Sequence, residues 1–411
     1  MKYAHLADLH LGSWREQTMR DLSTNTFIKA IDSCIEKKVD FILFAGDIFN
    51  TSLPSVDTLK IVTKKLKFLK DRGIPLYVIA GSHDFSPSGK TMIDVLENAG
   101  LLINVCKGSV NPETKQLELK FTTDPKTNAK ITGIIGRRGL LDRTYYENLN
   151  RPNLENEQGY KIFMFHTTLT ELKPKHLEMI DSQPASFLPK KFNYYAGGHI
   201  HHKTLIHLEE YGPLTYTGAL FPTNFAELEK YSYGGFYIVS LEKTNHNTQT
   251  IEWIPCKTMQ HTPFILNCSG MTPAKVEEKI KEHFEHKDIT NTILTLRLFG
   301  TLESGKTSDI NFKKMKEQLE FQGAICILQN TTKLQSTEFS EIKISSMDPN
   351  NIEEHTINEH IGQLSLFEKD KELHLIKNLI TSLNTTKQQG EKVADFEKRI
   401  FEDLDIALEN T

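Results

Sequence analysis

Cysteine is scarce in this sequence, and the few cysteines lie far apart. In a chain of 411 residues the five positions are Cys34, Cys106, Cys256, Cys268 and Cys326. No two of them form the CxxC pair that is typical of zinc-binding loops. Neither a disulfide framework nor a zinc knuckle is therefore indicated.

Long apolar runs are also missing. No stretch holds the roughly 18 consecutive apolar residues that a membrane-spanning helix requires. The N-terminal stretch MKYAHLADLH has no apolar signal core. We therefore expect a protein without a membrane span that works in the cytoplasm.

An excess of positive charge is missing as well, because the formal net charge is -4. This value argues against nucleic-acid binding by bulk charge, although a local basic groove remains compatible with it. The composition is otherwise that of a globular protein, with 38% hydrophobic and 25% charged residues. The length predicts two or three domains.

The first part of the chain alternates between apolar strands and amphipathic helices. Residues 2–7, 40–45 and 76–80 are apolar runs without a helical period, which predicts buried strands. Residues 24–38 and 54–72, between them, have apolar side chains at helical spacing. This order predicts a parallel sheet with right-handed crossovers, and such sheets bind ligands at the carboxyl ends of their strands.

Different patterns follow. From about residue 116, short strands predict a second, more antiparallel sheet, and we expect the first domain to span residues 1–260. Residues 261–335 have a β-α-β-α-β pattern, which predicts a small α/β cap domain. Residues 336–369 are polar and acidic and are expected to form a linker, and residues 370–411 are expected to form a helical hairpin. The apolar stripes of the hairpin consist of Leu373, Ile376, Ile380, Leu383, Val393, Phe396, Ile400 and Leu404.

Five short motifs stand at the ends of predicted strands. They are DLH at 8–10, GD at 46–47, GSHD at 81–84, FHTT at 165–168 and GGHIHH at 197–202. Together they supply carboxylates and imidazoles. Residues two apart in an extended segment point to the same side. The aspartate and the histidine of DLH can therefore reach one pocket, and so can the two histidines of HIH.

These ligand types predict a two-metal centre that cleaves phosphodiesters. Mixed oxygen and nitrogen ligands suit manganese, iron or zinc better than calcium or magnesium alone. Two cations about 3.5–4 Å apart can hold a hydroxide between them and stabilise an in-line phosphoryl displacement. We predict that Asp47 bridges the cations, with further ligands from Asp8, His10, His166, His199 and His201. Any one of these histidines, taken alone, is more often a structural residue, so the hypothesis depends on the motifs occurring together.

The GSHD motif supplies a candidate proton donor. We predict that His83 protonates the leaving alkoxide. Asp84 would hold the other ring nitrogen of His83 and fix its tautomer.

The set of motifs resembles that of the calcineurin-like metallophosphoesterase superfamily, whose pattern is D-x-H, G-D, G-N-H-D, H and G-H-x-H. Within it, the motif order, the cap and the helical tail resemble the SbcD-type double-strand-break repair nucleases of the meiotic-recombination-eleven family, in an archaeal style. The resemblance implies an α/β fold with a four-layer α/β/β/α domain. It also implies two manganese ions per protomer, with magnesium, iron or zinc as possible substitutes. The implied ligands are Asp8, His10, Asp47 and His201 for one ion, and Asp47, His166 and His199 for the other.

The chain departs from the family pattern at two positions. Ser82 replaces the asparagine that would be a further ligand, and a serine hydroxyl either binds the ion directly or acts through a water. Asn50 stands where related nucleases often have a histidine.

The resemblance further implies an activity and partners. The activity would be 3′-to-5′ exonuclease on duplex ends and endonuclease on single strands, in a nucleoid-associated homodimer. The partner would be an SMC-like ATPase (SbcC-type, the Rad-fifty family) bound through the helical hairpin. Candidate DNA contacts in or near predicted loops are Arg15, Arg20, Asn50, Arg137 and Lys203.

Two alternatives remain open. The protein could be a DNA-end tethering subunit with weak catalysis, because Ser82 would weaken one metal site. It could also be a calcineurin-like phosphatase or phosphodiesterase that acts on a small molecule or a protein.

Overall fold

The structure is a computed structural model that describes residues 1–86, 91–174, 179–242, 249–337, 369–387, 391 and 393–409. The chain forms two compact units, Met1–Glu338 and Phe339–Thr411. Residues 338–368 of the predicted linker lie outside the described residues. Among the helices of the described part, none is long and apolar enough to span a lipid bilayer.

The first unit contains all of the described strands, and the helices are divided between the two units. In chain order the strands are Lys2–Leu6 (β1), Phe41–Ala45 (β2), Leu76–Ile79 (β3), Ile103–Asn104 (β4), Gly108–Val110 (β5), Leu117–Leu119 (β6), Thr122–Thr123 (β7), Lys130–Gly133 (β8), Lys161–His166 (β9), Tyr194–Gly198 (β10), Thr204–Ile206 (β11), Leu214–Tyr216 (β12), Gly235–Leu241 (β13), Gln249–Pro255 (β14), Gln260–Asn267 (β15), Thr292–Leu302 (β16) and Cys326–Ser336 (β17). The helices are Gln17–Glu36 (α1), Val56–Lys70 (α2), Met92–Asn98 (α3), Arg143–Glu147 (α4), Arg151–Glu155 (α5), Phe225–Tyr231 (α6), Pro273–Phe284 (α7), Phe312–Phe321 (α8), Lys369–Leu383 (α9) and Val393–Glu409 (α10).

The first sheet has the strand order β14-β13-β1-β2-β3-β4. Strands β1 to β4 are parallel, and α1, α2 and α3 form the connections between them. β13 is antiparallel to both β1 and β14. The predicted α/β class, with a parallel sheet at the start of the chain, is confirmed.

The second sheet has the order β11-β12-β10-β9-β8-β7. Its four central strands are parallel, and only its two edge pairs are antiparallel. The expectation of a more antiparallel sheet is wrong. The connection from β8 to β9 contains α4 and α5, and a connection of that kind brings the chain back to start the next strand in the same direction.

The core explains why β2 is apolar along its entire length. Ile42 and Phe44 pack with the helices on the outer face of the first sheet. Phe41, Leu43 and Ala45 pack into the layer between the two sheets. A strand that is covered on both faces has no solvent-exposed face, so polar residues do not alternate with apolar ones along it. A further apolar cluster covers the outer face of the second sheet, which gives four layers.

Residues of β15, β16 and β17 form a third, parallel sheet. Helices α7 and α8 pack on this sheet around their own apolar cluster. The sheet contacts the remainder of the first unit through an apolar cluster that includes Trp14, Leu228 and Ile293. The Arg297 guanidinium on β16 also pairs with Glu229 on α6, with Nη2 to Oε2 at 2.7 Å.

In the second unit, α9 and α10 contact each other. Of the predicted stripe residues, Ile376, Ile380, Phe396, Ile400 and Leu404 are partly buried. Leu383 is 62% exposed. The side chains of Leu373 and Val393 lie outside the described part of the chain.

Candidate metal centre

The predicted ligands converge at the carboxyl ends of strands from both large sheets. Backbone hydrogen bonds tie the loop after β1 to the loop after β2. Asp8 N donates to Gly46 O at 3.1 Å. His10 N donates to Asp47 O at 3.0 Å. These backbone bonds alone hold Asp8 and Asp47 beside each other.

Four of the predicted ligands have backbone in the left-handed region. The φ angles are 52° at Asp8, 41° at His10, 52° at Asp47 and 90° at His199. This conformation costs a residue other than glycine on the order of 1–3 kcal/mol. It therefore persists only where the surrounding contacts hold it, and such strain is concentrated at functional sites.

Asp8 is fully buried, and the backbone of another ligand holds its carboxylate. Oδ1 and Oδ2 accept a hydrogen bond from His199 N at 2.9 Å and 3.0 Å. Burial raises the pKa of Asp8 to about 6, and the nearby Asp47 adds to this effect. A cation beside Asp8 would remove much of this penalty on the charged carboxylate.

Asp47 lies between the two groups of imidazoles. Its Oδ2 is 3.2 Å from His166 Nε2 and 3.5 Å from His10 Nε2. Its Oδ1 accepts a hydrogen bond from His83 N at 2.7 Å. Burial alone would raise the pKa of Asp47, but His166 and His10 outweigh it and hold that pKa well below its usual range. The geometry suits a carboxylate shared by two cations.

Hydrogen bonds fix the tautomers of two predicted ligands. His166 Nδ1 is 2.8 Å from Ala45 O, and His201 Nδ1 is 2.9 Å from Glu227 Oε1. A carbonyl oxygen and a carboxylate can only accept, so both Nδ1 atoms carry the proton. Each Nε2 is then left to act as a ligand. Burial would raise the pKa of Glu227, but His201 outweighs it and lowers that pKa to about 2.

The side chains form three overlapping groups that could each hold a cation. Within each group, the possible ligand atoms lie within 4.8 Å of one another. The groups are Asp8 with His10 and His201, Asp47 with His166 and His199, and His10 with Asp47 and His83. The first two groups contain all six ligands of the predicted sets. Among the residues that the structure describes, the buried Nε2 of His166 has no hydrogen-bond partner, which fits a nitrogen placed to bind a metal ion.

Two glycines allow the close approach of the sheets at this centre. Gly46 has φ 90°, and a Cβ there would collide with the His166 ring. A Cβ on Gly198 would collide with Ala45 O. Gly198 therefore makes room for the backbone of the neighbouring strand β2.

His83 borders the centre, but Asp84 does not hold it. His83 Nδ1 donates to Asn50 O at 2.7 Å. The Asp84 carboxylate instead accepts backbone hydrogen bonds from Ile48, Phe49 and Gly81, at 3.2, 3.1 and 3.0 Å. The prediction that Asp84 fixes the His83 tautomer is therefore wrong, because the buried carboxylate joins the loop after β2 to the loop after β3. The carbonyl of Asn50 has the role that we assigned to Asp84.

Ser82 is buried beside the shared carboxylate. Its Oγ donates to Asp47 Oδ2 at 3.4 Å. The hydroxyl therefore lies in the pocket where the family pattern has an asparagine. This contact leaves both expectations open, direct binding of an ion and binding through a water.

The predicted DNA contacts are spread around the centre. Arg20 Nη1 donates to Trp14 O and Arg15 O, at 3.1 and 2.7 Å, so this guanidinium braces its own loop. Arg137 donates to Tyr145 Oη at 3.1 Å and lies over the Phe85 ring. Arg15 is exposed.

The two remaining candidates are Lys203, which lines a cavity together with His201, and Asn50. Lys203 Nζ is 4.3 Å from the centre of the Trp253 ring, and Asn50 contributes its backbone carbonyl to His83. Arg138, outside this predicted set, has its Nη2 3.5 Å from His83 Nδ1. The structure thus brings some of these groups to the centre, and others serve the local fold.

Glu227 was not predicted from the sequence. It lies on α6, and besides His201 it binds Thr223, whose N and Oγ1 both donate to Oε2 at 2.9 Å. An isolated glutamate in an amphipathic helix gives no signal of such a role. The three-dimensional contact with His201 was needed to find it.

Comparisons with known proteins agree with this chemistry. The family model described as calcineurin-like phosphoesterase matches residues 1–203. DNA double-strand break repair protein Mre11 of Methanococcus maripaludis is 30% identical over 252 residues, which cover 59% of this chain and 63% of that protein. The protein of the same name from Sulfurisphaera tokodaii is 29% identical and covers 71% of this chain and 72% of its own length. One component of the nuclease SbcCD from Staphylococcus epidermidis is 22% identical, over 92% of this chain and 99% of that protein.

The matched length varies among these relatives. For four of the Mre11 proteins the chain spans less than two thirds of their length, namely 63%, 46%, 57% and 66%.

The contact between Glu227 and His201 predicts a change in metal affinity. We expect Glu227→Ala to weaken Mn²⁺ binding by about 10- to 100-fold, the usual effect of losing the group that orients a histidine ligand. Glu227→Gln, which can still accept from His201 Nδ1, should have a smaller effect. Calorimetric titration of the metal-free protein with Mn²⁺ measures both.

The matched control is Glu229→Ala on the same helix, because Glu229 pairs with Arg297 rather than with a predicted ligand. If Glu227→Ala and Glu229→Ala lost Mn²⁺ affinity equally, damage to α6 would be indicated. That result would contradict a role of Glu227 in orienting His201.

Proposed function

We propose that this chain, whose residues 1–203 match the calcineurin-like phosphoesterase family model, is a DNA double-strand-break repair nuclease. It hydrolyses DNA phosphodiesters with two Mn²⁺ ions per protomer. The observation that carries the proposal is the buried Asp47 carboxylate, which lies between imidazoles from both sheets. The names of the relatives support DNA as the substrate.

The two metal groups give the ligands separate roles. Asp8, His10 and His201 would hold one ion. His166 and His199 would hold the other, with Asp47 shared and Ser82 beside it. Bound ions would supply Lewis-acid chemistry, activating water and neutralising charge on the phosphate. The protein fixes the tautomers of His166 and His201 through their Nδ1 hydrogen bonds, and it keeps His166, which is 2% exposed, away from water.

His83 is the group that handles a proton at the edge of the site. Because its Nδ1 proton is donated to Asn50 O, its Nε2 is the atom that can face the reacting groups. A protonated Nε2 there would donate to the leaving oxygen of the broken ester. Arg138, beside the same ring, would hold the adjacent phosphate.

Cleavage of DNA with and without metal tests the function. We expect Mn²⁺-dependent cleavage of linear duplex DNA that a chelator abolishes. We expect His83→Ala to keep both ions and to lose about 10²- to 10⁴-fold in rate, as for loss of a general acid. His207→Ala, a change at an exposed histidine, is the matched control. Full activity in His83→Ala would exclude its role, and faster hydrolysis of an aryl phosphate than of DNA would favour the phosphatase alternative.

The tethering alternative depends on Ser82. We expect Ser82→Asn to bind the second ion more tightly, because an amide oxygen reaches further than a hydroxyl. The measurement is the number of Mn²⁺ ions bound per protomer at increasing concentration. If the unmodified chain bound one ion and did not cleave DNA even in excess partner, tethering would replace nuclease as the function.

The proposal also specifies the DNA substrates and the oligomeric state. The protein would act as a 3′-to-5′ exonuclease on duplex ends and as an endonuclease on single strands. It would work as a homodimer. Apolar side chains exposed near the start of α2 and on α3 support a dimer contact there, namely Leu53 (81%), Val56 (80%) and Val95 (57%).

The second unit is the proposed site for an SMC-like ATPase. Its helices leave apolar side chains exposed, including Leu383 (62%), Phe401 (66%) and Leu408 (55%). Amphipathic helices with such faces typically bind a groove on a partner. The stripe that we predicted for this contact includes Leu383.

A charge on this stripe should disrupt the complex. We expect Leu383→Glu to reduce binding to the ATPase by at least about tenfold, since burying an unpaired carboxylate is strongly unfavourable. Asn384→Glu adds the same charge at the neighbouring exposed position and should bind normally. Binding of the full chains by surface plasmon resonance measures the difference, and unchanged affinity in Leu383→Glu would exclude this face.

A further inference from the structure

A cavity of about 200 Å³ lies directly beside the metal centre. His201 and Glu227 form part of its wall. The Nε2 of His201 points to the other ligands, 3.0 Å from His10 Nε2, and its Nδ1 points to Glu227. The His201 ring therefore lies between this cavity and the proposed cations.

Three aromatic residues line the cavity, namely Tyr231, Tyr233 and Trp253. All three are partly exposed, and they are absent from the apolar clusters of the described core. The ring centres of Tyr233 and Trp253 are 6.4 Å apart, and their planes are inclined by 37°. Trp253 Nε1 donates to Thr217 O at 3.1 Å, which fixes the indole in place. Flat rings held at a surface in this way offer a stacking platform.

A lysine accompanies each of these rings. The Nζ of Lys203 is 4.3 Å from the Trp253 ring centre, that of Lys257 is 4.9 Å from Tyr233, and that of Lys230 is 5.0 Å from Tyr231. All three lysines are exposed. This local concentration of positive charge contrasts with the net charge of -4 for the chain. Aromatic faces with cations beside them are what single-stranded nucleic acid requires, because the rings stack on bases and the cations pair with phosphates.

We propose that this cavity is a nucleobase site, in which one unpaired base of a DNA strand stacks on the ring of Trp253. The adjacent phosphate of the same strand then reaches the metal centre past His201. The ammonium groups of Lys203 and Lys257, which lie over the Trp253 and Tyr233 rings, turn from the ring faces to the flanking phosphates. The inference rests on the proposed nuclease function and adds to it the residues that would bind an unpaired base.

The chemistry explains why the base must be unpaired. In a duplex each base is stacked between its neighbours and paired, so its face is not available to a protein ring. A frayed end or a single strand has free faces without that penalty. Stacking is also tolerant of sequence, since every base has a π-face. The cavity therefore distinguishes unpaired from paired strands and does not distinguish between base sequences.

The chain offers a direct optical readout for this contact. It contains two tryptophans. Trp14 is 8% exposed and donates from Nε1 to Pro222 O at 2.8 Å, within an apolar cluster. Trp253 is at the cavity. A base that stacks on Trp253 should quench its fluorescence, and Trp253→Phe leaves Trp14 to report the background.

The experiment uses the full chain in a chelator, so that no strand is cut and the result does not depend on cleavage. A short single-stranded oligonucleotide is added, and fluorescence quenching and anisotropy of a labelled strand are followed together. We expect quenching by the single strand, little by an abasic strand of the same length, and little by a blunt duplex. We expect Trp253→Phe to bind and lose the quenching, and Trp253→Ala to bind about tenfold more weakly. Phe321→Ala, which removes an aromatic ring that is 94% exposed on α8, should bind as the unmodified chain does.

Several results would overturn the proposal. Equal quenching by abasic and normal strands would exclude base stacking, and quenching that persists in Trp253→Phe would arise from Trp14. Normal affinity of a folded Trp253→Ala would show that the ring does not contribute. If Trp253→Ala does not fold, the two results with Trp253→Phe and the abasic strand still decide. A protein that cuts no DNA but shows base-dependent quenching would disprove the nuclease function alone.

Discussion

The shared Asp47 carboxylate is the constraint on which the site depends. A buried carboxylate beside a second one, Asp8, is unfavourable unless positive charge or hydrogen-bond donors compensate it. The protein supplies His166 at 3.2 Å and a backbone donor from His83 at 2.7 Å. The left-handed backbone at Asp8 and Asp47 adds further strain. Such an arrangement is stable only in a rigid frame, which the buried strands of two sheets provide.

The motifs allowed much of this frame to be predicted. An apolar run that ends in a polar motif marks the carboxyl end of a strand, and parallel strands bring those ends to one edge. This reasoning predicted Asp47 and the five candidate ligands that the structure brings together around it. It failed at Asp84, because neighbouring positions in a turn point in different directions: His83 faces Asn50, whereas Asp84 faces the backbone of the loop after β2. It also failed for the second sheet, because the pattern of short strands did not show that the connections between them start the next strand in the same direction.

Helix α6 connects parts of the first unit that no local sequence pattern relates. Three consecutive residues face three different neighbours. Glu227 binds the ligand His201, Leu228 packs in the apolar cluster with Ile293 of β16, and Glu229 pairs with Arg297 of β16. One short helix therefore contacts both the third sheet and a candidate ligand of the metal centre. Spacing in the sequence cannot show this, because α6 and β16 are far apart in the chain.

The candidate ligands of the centre differ in their access to solvent. The His166 side chain is fully buried between the sheets, whereas the His201 side chain is 22% exposed and borders the aromatic cavity. His83 and Arg138 lie on the same open side, beside His10. Each of the two candidate groups therefore has two buried side chains and one partly exposed histidine, His199 in one group and His201 in the other. The exposed edge of His201 is the one that borders the aromatic cavity. Lysines lie over the aromatic rings there, a combination suited to a flexible, negatively charged strand rather than to a compact phosphate ester.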